Sequence, residues 1–433
     1  MTLAEELNEA LEGSVAGRLL SDMGKRMYFP RGILSQSAEA DQKAKRFNAT
    51  IGMAYEEGEP LILDAIRAAL PSLTPYESVA YASTAGVPEL RKRWKAALED
   101  KNPSLRGKVF SLPVVVPGLT AAVSYISDLF LDPGDVAVVP DLHWPNYRLV
   151  VESRRTGVGL TYPLFAGQGF NVEGFEARLR EGAKNRRKVA AILNFPNNPT
   201  GYSPTLAEAE RIVETIGRVA DEGSDVLVVT DDAYFGLQYE EGILRESLFG
   251  RLADFHERVL VAKADGPTKE DYVWGFRLGF VSFAGKGLDA TRLDALTKKL
   301  MGVIRSSVSN SNGPGQHLLL KALGEPGYEA QKARYRELLA SRYRKVRAFL
   351  DRTALPPCLQ PLPFNSGYFM SLECRGISAE TLRLRLLDKG IGTIALGERH
   401  LRVAFSCVEA SDIDELYLAI VAEATALAGA AAP

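Results

Sequence analysis

Between residues 111 and 285, short runs of Val, Ile and Leu alternate with longer amphipathic segments. The runs VVVPG, VAVVP, VGLTYPL, AAILNFP, DVLVVTD, RVLVAK and LGFVSF have the length and β-branched content of strands buried on both faces. The intervening segments repeat apolar residues at helical spacing. In TAAVSYISDLF, for example, Ala122, Val123, Ile126 and Phe130 share one face. Strand and helix in alternation predict an α/β core, a mostly parallel central sheet flanked by helices.

Residues 327–352 form a long charged helical pattern, after which the pattern shortens to the strands YFMSLE, GIGTIAL and LRVAF. The helix reads as a bridge from a large domain, 61–326, to a smaller α+β domain, 327–433. The first sixty residues are too few for a core of their own and are expected to pack on the C-terminal part, so that both chain ends build the small domain. The apolar stretch near the C-terminus, broken by Glu423, reads as a helix with an Ala/Gly-rich tip.

Composition narrows the function. The chain has 433 residues with 52 Lys+Arg against 54 Asp+Glu, a net charge of −2, so no global field attracts nucleic acid or an anionic membrane. An anionic ligand must be gripped by a few placed groups. No apolar run approaches the ~18 residues of a membrane span, and the acidic start MTLAEEL is unlike a signal peptide, which points to the cytoplasm. Cys358, Cys374 and Cys407 are scattered, without metal-ligand spacing, so inert thiols and no metal site are expected.

Candidate chemistry clusters at predicted strand ends, where ligands bind in α/β sheets. After VAAIL comes a Pro/Gly-rich loop, residues 194–201 (NFPNNPTG), containing Asn198. DVLVVT ends in Asp231 and Asp232, followed by Tyr234. VLVAK leads to Gly266, Thr268 and Lys269, and Arg277 follows eight residues after Lys269. A carboxylate, a lysine and an arginine at neighbouring strand ends can converge on one anionic, nitrogen-containing ligand. The segment Gly285, Gly287, Ala290 fits a dinucleotide fingerprint in spacing, but TKKLMGVIRSS offers no acidic residue where one belongs.

The motifs NNPTG, D-x-A-Y and T-K-x7-R, in this order, resemble those of the class I aminotransferases, pyridoxal 5′-phosphate enzymes of fold type I, over about residues 48–406. The resemblance implies that Lys269 holds the cofactor as a Schiff base and acts as the catalytic base, with Lys263 its rival. It implies that Asp231, or its neighbour Asp232, pairs with the pyridine nitrogen, and that Tyr234 and Asn198 bond the ring oxygen. Gly118, Leu119 and Thr120 at a helix start, with Thr268 and Arg277, are implied to hold the phosphate. Trp144 would stack on the ring, and Tyr81 would reach the neighbouring subunit's phosphate in a homodimer. Arg402 is implied to bind the substrate α-carboxylate beside Asn198 and Gly52, and Arg305 a side-chain carboxylate. The hydroxyl usual three residues before the lysine is missing, since Gly266 stands there. The implied reaction moves an amino group from an L-amino acid to a 2-oxo acid in amino acid metabolism. A β-lyase or synthase on the same fold is the alternative, and a cofactor-sensing regulator lacks residues here for a DNA-binding domain.

Overall fold

The computed structural model describes residues 33–50, 52–185 and 187–430, together with isolated positions among the first nine. The seven strands expected between 111 and 285 all form and lie in one sheet. In chain order they are β1 (Val114–Val116), β2 (Val136–Pro140), β3 (Val158–Tyr162), β4 (Lys188–Asn194), β5 (Asp225–Asp231), β6 (Val259–Asp265) and β7 (Gly279–Ala284). Their spatial order is β1-β7-β6-β5-β4-β2-β3. The strands from β6 to β3 are parallel, whereas β7 runs antiparallel to both β6 and β1.

Alternation along β5 explains why its sequence is continuously apolar. Leu227 and Val229 enter a core with Ile192, Ala262 and Val123 on one face, while Val226 and Val228 pack with Leu193, Val261 and Ile216 on the other. Helices α1 (Pro88–Lys101), α2 (Leu119–Phe130) and α3 (Leu206–Asp221) cover this sheet. On α2 the predicted stripe is the inner one, with Ala122, Val123 and Ile126 buried. Helix α3 starts in a capping box: Thr205 accepts from the Glu208 N–H while the Glu208 carboxylate accepts from the Thr205 N–H.

Helix α4 (Ala290–Ser307) follows β7, and its N-cap Asp289 accepts from the Arg292 N–H, so the Gly285–Gly287 spacing serves a helix start. Helix α5 (Tyr328–Arg352) leads to an antiparallel four-stranded sheet of β8 (Leu359–Pro361), β9 (Phe369–Cys374), β10 (Ile394–Leu396) and β11 (His400–Ala404), in the order β8-β9-β11-β10. A separate apolar core gathers Tyr343, Met370, Val403 and Phe405 under helix α6 (Ile413–Ala430). The early chain joins this region: strand Phe47–Asn48 pairs with Ile391–Gly392, and Ala49 belongs to its core. On α6, Glu423 is buried and ion-paired with Arg385 and Lys389. The Ala-rich tip, 431–433, and residues 10–32 lie outside the described residues. Among the described residues no helix is long and apolar enough to cross a membrane.

Candidate active site

Residue parity at the strand ends divides the charged groups between two faces. The last residue of β5, Asp231, lies in register with Asn194 of β4 and Ala264 of β6, whereas Lys263 pairs with Thr230 and belongs to the opposite face with Asp232. Lys263 is there fully buried, ion-paired with Asp232 and 3.7 Å from Asp265 Oδ2. Asp232 also accepts from Ser247 Oγ at 2.6 Å. The two rivals left by the sequence are therefore committed to each other, away from the cavity that Lys269 faces.

That cavity, of about 150 Å³, is lined by Leu119, Thr120, Trp144, Asn194, Asn198, Asp231, Ala233, Tyr234, Thr268, Lys269 and Arg277. The Lys269 amine lies 4.8 Å from the centroid of the Tyr234 ring. Burial pulls its pKa down to about 8; the Asp231 carboxylate opposes this shift and Arg277 reinforces it. Burial likewise raises Asp231 above the ordinary carboxylate range, opposed first by a hydrogen bond from Tyr147 and then by the charge of Lys269.

The loop after β4 is fixed from both sides. Asn194 donates to the Asp231 carbonyl at 2.9 Å and accepts from the Asn198 N–H at 2.8 Å. Farther along, the Gly201 carbonyl accepts from the Asn365 and Ser366 N–H groups. Gly201 has φ +74°, and a Cβ there would lie 2.1 Å from the Phe369 carbonyl oxygen, so only glycine lets the loop dock against β9.

At the other end, Gly118 is the N-cap of α2, with φ +86°, and a Cβ there would meet Arg277 Nη2 at 2.5 Å. Arg277 itself adopts φ +52°, costly for a non-glycine residue, which aims its guanidinium at the start of α2. An anion in this corner would meet a helix N-terminus and a forked cation together. The missing hydroxyl at Gly266 has a steric reason. A Cβ at that position would sit 2.9 Å from the Leu278 oxygen and 3.1 Å from Leu119 Cδ1.

Arg402, on β11, is buried, donates to Asn198 Oδ1 at 3.1 Å and to the Thr50 carbonyl at 3.0 Å, and lies 4.3 Å over the Phe369 ring. Its Nε is buried without a partner. Burial lowers its pKa to about 10, so it stays cationic at neutral pH. Gly52 sits beside it, where a Cβ would be 3.8 Å from Phe369 and 4.0 Å from the Tyr234 hydroxyl.

Arg305 is not brought to this cavity; it lies exposed on α4 and donates to Ser309 Oγ. Tyr81, expected to reach a neighbouring subunit, is 89% exposed. Conversely, the sequence reading passed over Tyr147. It is buried, lies edge-on to Trp144 with ring centroids 5.6 Å apart, and donates to Asp231 Oδ2 at 2.6 Å. A tyrosine three positions after Trp144 carries no signal by itself; only the fold shows that it reaches a carboxylate 84 residues away.

A lysine, a carboxylate and two arginines around one cavity at the strand ends of a doubly covered α/β sheet define a fold type I enzyme site. Residues 52–420 match the family model for class I and II aminotransferases, and the chain belongs to that family. It is an aminotransferase. Among curated relatives it is 26% identical over 337 residues to the aspartate/prephenate aminotransferase of Thermus thermophilus, covering 76% of this chain and 79% of that protein. It is 24% identical over 351 residues to the probable N-acetyl-LL-diaminopimelate aminotransferase of Bacillus subtilis, covering 79% and 81%. An aminotransferase structure from Anaerococcus prevotii has the same fold, with a TM-score of 0.82 at 20% identity, over 93% of this chain and 98% of that one.

Proposed function

We propose that this aminotransferase works with pyridoxal 5′-phosphate in the Lys269 cavity, moving an amino group from an L-amino acid to a 2-oxo acid. The carrying observation is that Lys269 and Asp231 face one cavity whose corner is formed by Arg277 and the start of α2. The donor set fits the group: an amine for its aldehyde, a carboxylate for its ring nitrogen, and a helix N-terminus with Arg277, Thr120 and Thr268 for its phosphate. When bound, the cofactor supplies an electrophilic carbon and an electron-withdrawing ring.

The chain's own groups do the rest. Lys269, with its pKa near 8, is about one-tenth neutral at pH 7, far more than an ordinary lysine, and takes and returns the proton at the substrate Cα. With the cofactor bound, Asp231 would keep a proton on the ring nitrogen by charge pairing, Tyr234 and Asn198 would bond the ring oxygen, and Trp144 would lie against the ring. Arg402 takes the substrate α-carboxylate, its buried, unpartnered Nε leaving donor capacity to spare.

We read the chain as two domains, 61–326 against 1–60 with 327–433, supported by the separate cores, and as a homodimer sharing its sites through Tyr81. In support, Leu70, Tyr76, Val79 and Tyr81 expose apolar surface within one twelve-residue stretch. Arg305, exposed on α4, gives no support within this chain for selection of dicarboxylates.

The test is an absorbance titration of the yellow, cofactor-loaded protein. Loss of the long-wavelength band on adding an L-amino acid, restored by a 2-oxo acid, supports transamination. Ammonia release without any 2-oxo acid overturns it in favour of β-elimination.

A further inference from the structure

Behind the lysine loop lies a second cavity, of about 270 Å³, that shares no lining residue with the first. Its walls come from the end of α1, the loop after Tyr234, the residues following Lys269 and the first turns of α5. Four cationic side chains, Lys101, Arg245, Lys332 and Arg336, face it, against two carboxylates, Glu270 and Glu329.

The pairing within this set is lopsided. Lys101 and Lys332 both reach one atom, Glu270 Oε1, at 2.7 and 3.0 Å, and Lys332 also meets Asp271 Oδ1 at 2.8 Å. Asp271 Oδ1 is already taken by the Tyr328 hydroxyl. Among the described residues, Arg245 donates only to the Glu240 carbonyl, at 3.2 Å, and Arg336 has no carboxylate within ion-pair distance. The two lysines at the floor are balanced by Glu270 and Asp271, whereas the guanidinium forks of Arg245 and Arg336 on the rim outnumber the remaining carboxylate, Glu329, so the concave surface carries a positive excess. Low-dielectric walls focus such a field, and guanidinium forks match carboxylate or phosphate oxygens two at a time.

We propose that this cavity is a binding site for a small dianion bearing phosphate or carboxylate groups, held between Arg245 and Arg336 over Lys101 and Lys332. Each guanidinium fork can take two oxygens of the ligand. The site is independent of the cofactor pocket and does not rest on the functional reading above.

Calorimetric titration of the cofactor-loaded protein with inorganic phosphate and, separately, with succinate tests this. The expected result is one saturable site per chain for at least one of the two, and the preferred probe identifies the headgroup. The double variant R245Q/R336Q, altered only at exposed positions, should weaken binding at least tenfold, about 1.4 kcal/mol, with an unchanged melting temperature. R402Q should leave binding intact. No saturable binding of either probe at millimolar concentration, binding that survives the double variant, or binding lost in R402Q would overturn the proposal.

Discussion

Tyr147 and Asp231 meet through a 2.6 Å hydrogen bond in a fully buried setting, the tyrosine hydroxyl donating to Oδ2 while the Ala233 N–H supports Oδ1 at 3.2 Å. The bond stabilises the charged form of a carboxylate whose pKa burial raises. A hydrogen bond to a charged group is worth about 1.5–3 kcal/mol. Tyr147→Phe is therefore expected to raise the Asp231 pKa and lower kcat/KM by roughly ten- to a hundredfold, with the loss growing as pH falls. Comparison of pH–rate profiles for the two proteins checks this; a uniform loss with no pH dependence would make Tyr147 a packing residue only.

The neutral amine of Lys269 is the form that reacts with a carbonyl, and its pKa near 8 fixes the direction of the pH response. Capture of added pyridoxal phosphate by cofactor-free protein should speed up about tenfold per pH unit below 8 and level off above it. Because the Asp231 charge raises the lysine pKa, Asp231→Asn should move that midpoint to lower pH. Lys269→Ala should abolish both covalent capture and turnover. Stopped-flow absorbance follows the capture directly.

Lys263 has a different part. It neutralises Asp232 and Asp265 inside the sheet, where burial already pushes Asp265 up to about 6. Lys263→Met leaves two buried carboxylates without their cation, which should cost about 3–5 kcal/mol of stability, while variants that still fold keep cofactor capture. Urea unfolding measures the first effect, and absorbance the second.

The sequence pattern placed all seven strands of the main sheet; most are buried on both faces, so hydrophobic runs mark them, while the edge strand β3, with Val158 and Thr161 exposed, is marked by its β-branched residues. It also placed most of the cavity lining, since strand-end loops carry their polar residues contiguously. The motif spacing to Tyr234 favours Asp231 over its neighbour Asp232, and parity at the strand end, which depends on register, supplies the physical reason. Tyr147 and the clamp of Lys101 and Lys332 on Glu270 were invisible for one reason: each joins segments far apart in sequence, and no local spacing encodes such a meeting.

Gly266 gives the sharpest test of the loop geometry. Restoring the hydroxyl usual at that position of the family, by Gly266→Ser, would seem to add a phosphate contact. The new Cβ, however, falls 2.9 Å from the Leu278 oxygen and 3.0 Å from Gly279 Cα, both backbone atoms that cannot rotate away. Overpacking of this kind costs about 1–3 kcal/mol, and the strain lies between the lysine loop and the start of α2. Gly266→Ser should therefore weaken pyridoxal phosphate binding. Adding Leu119→Ala, which removes the 3.1 Å contact with Leu119 Cδ1, should recover only part of the loss because the backbone clashes remain. Equilibrium dialysis against the cofactor decides the matter, and tighter binding by the single variant would show that the lysine loop yields where its packing says it is fixed.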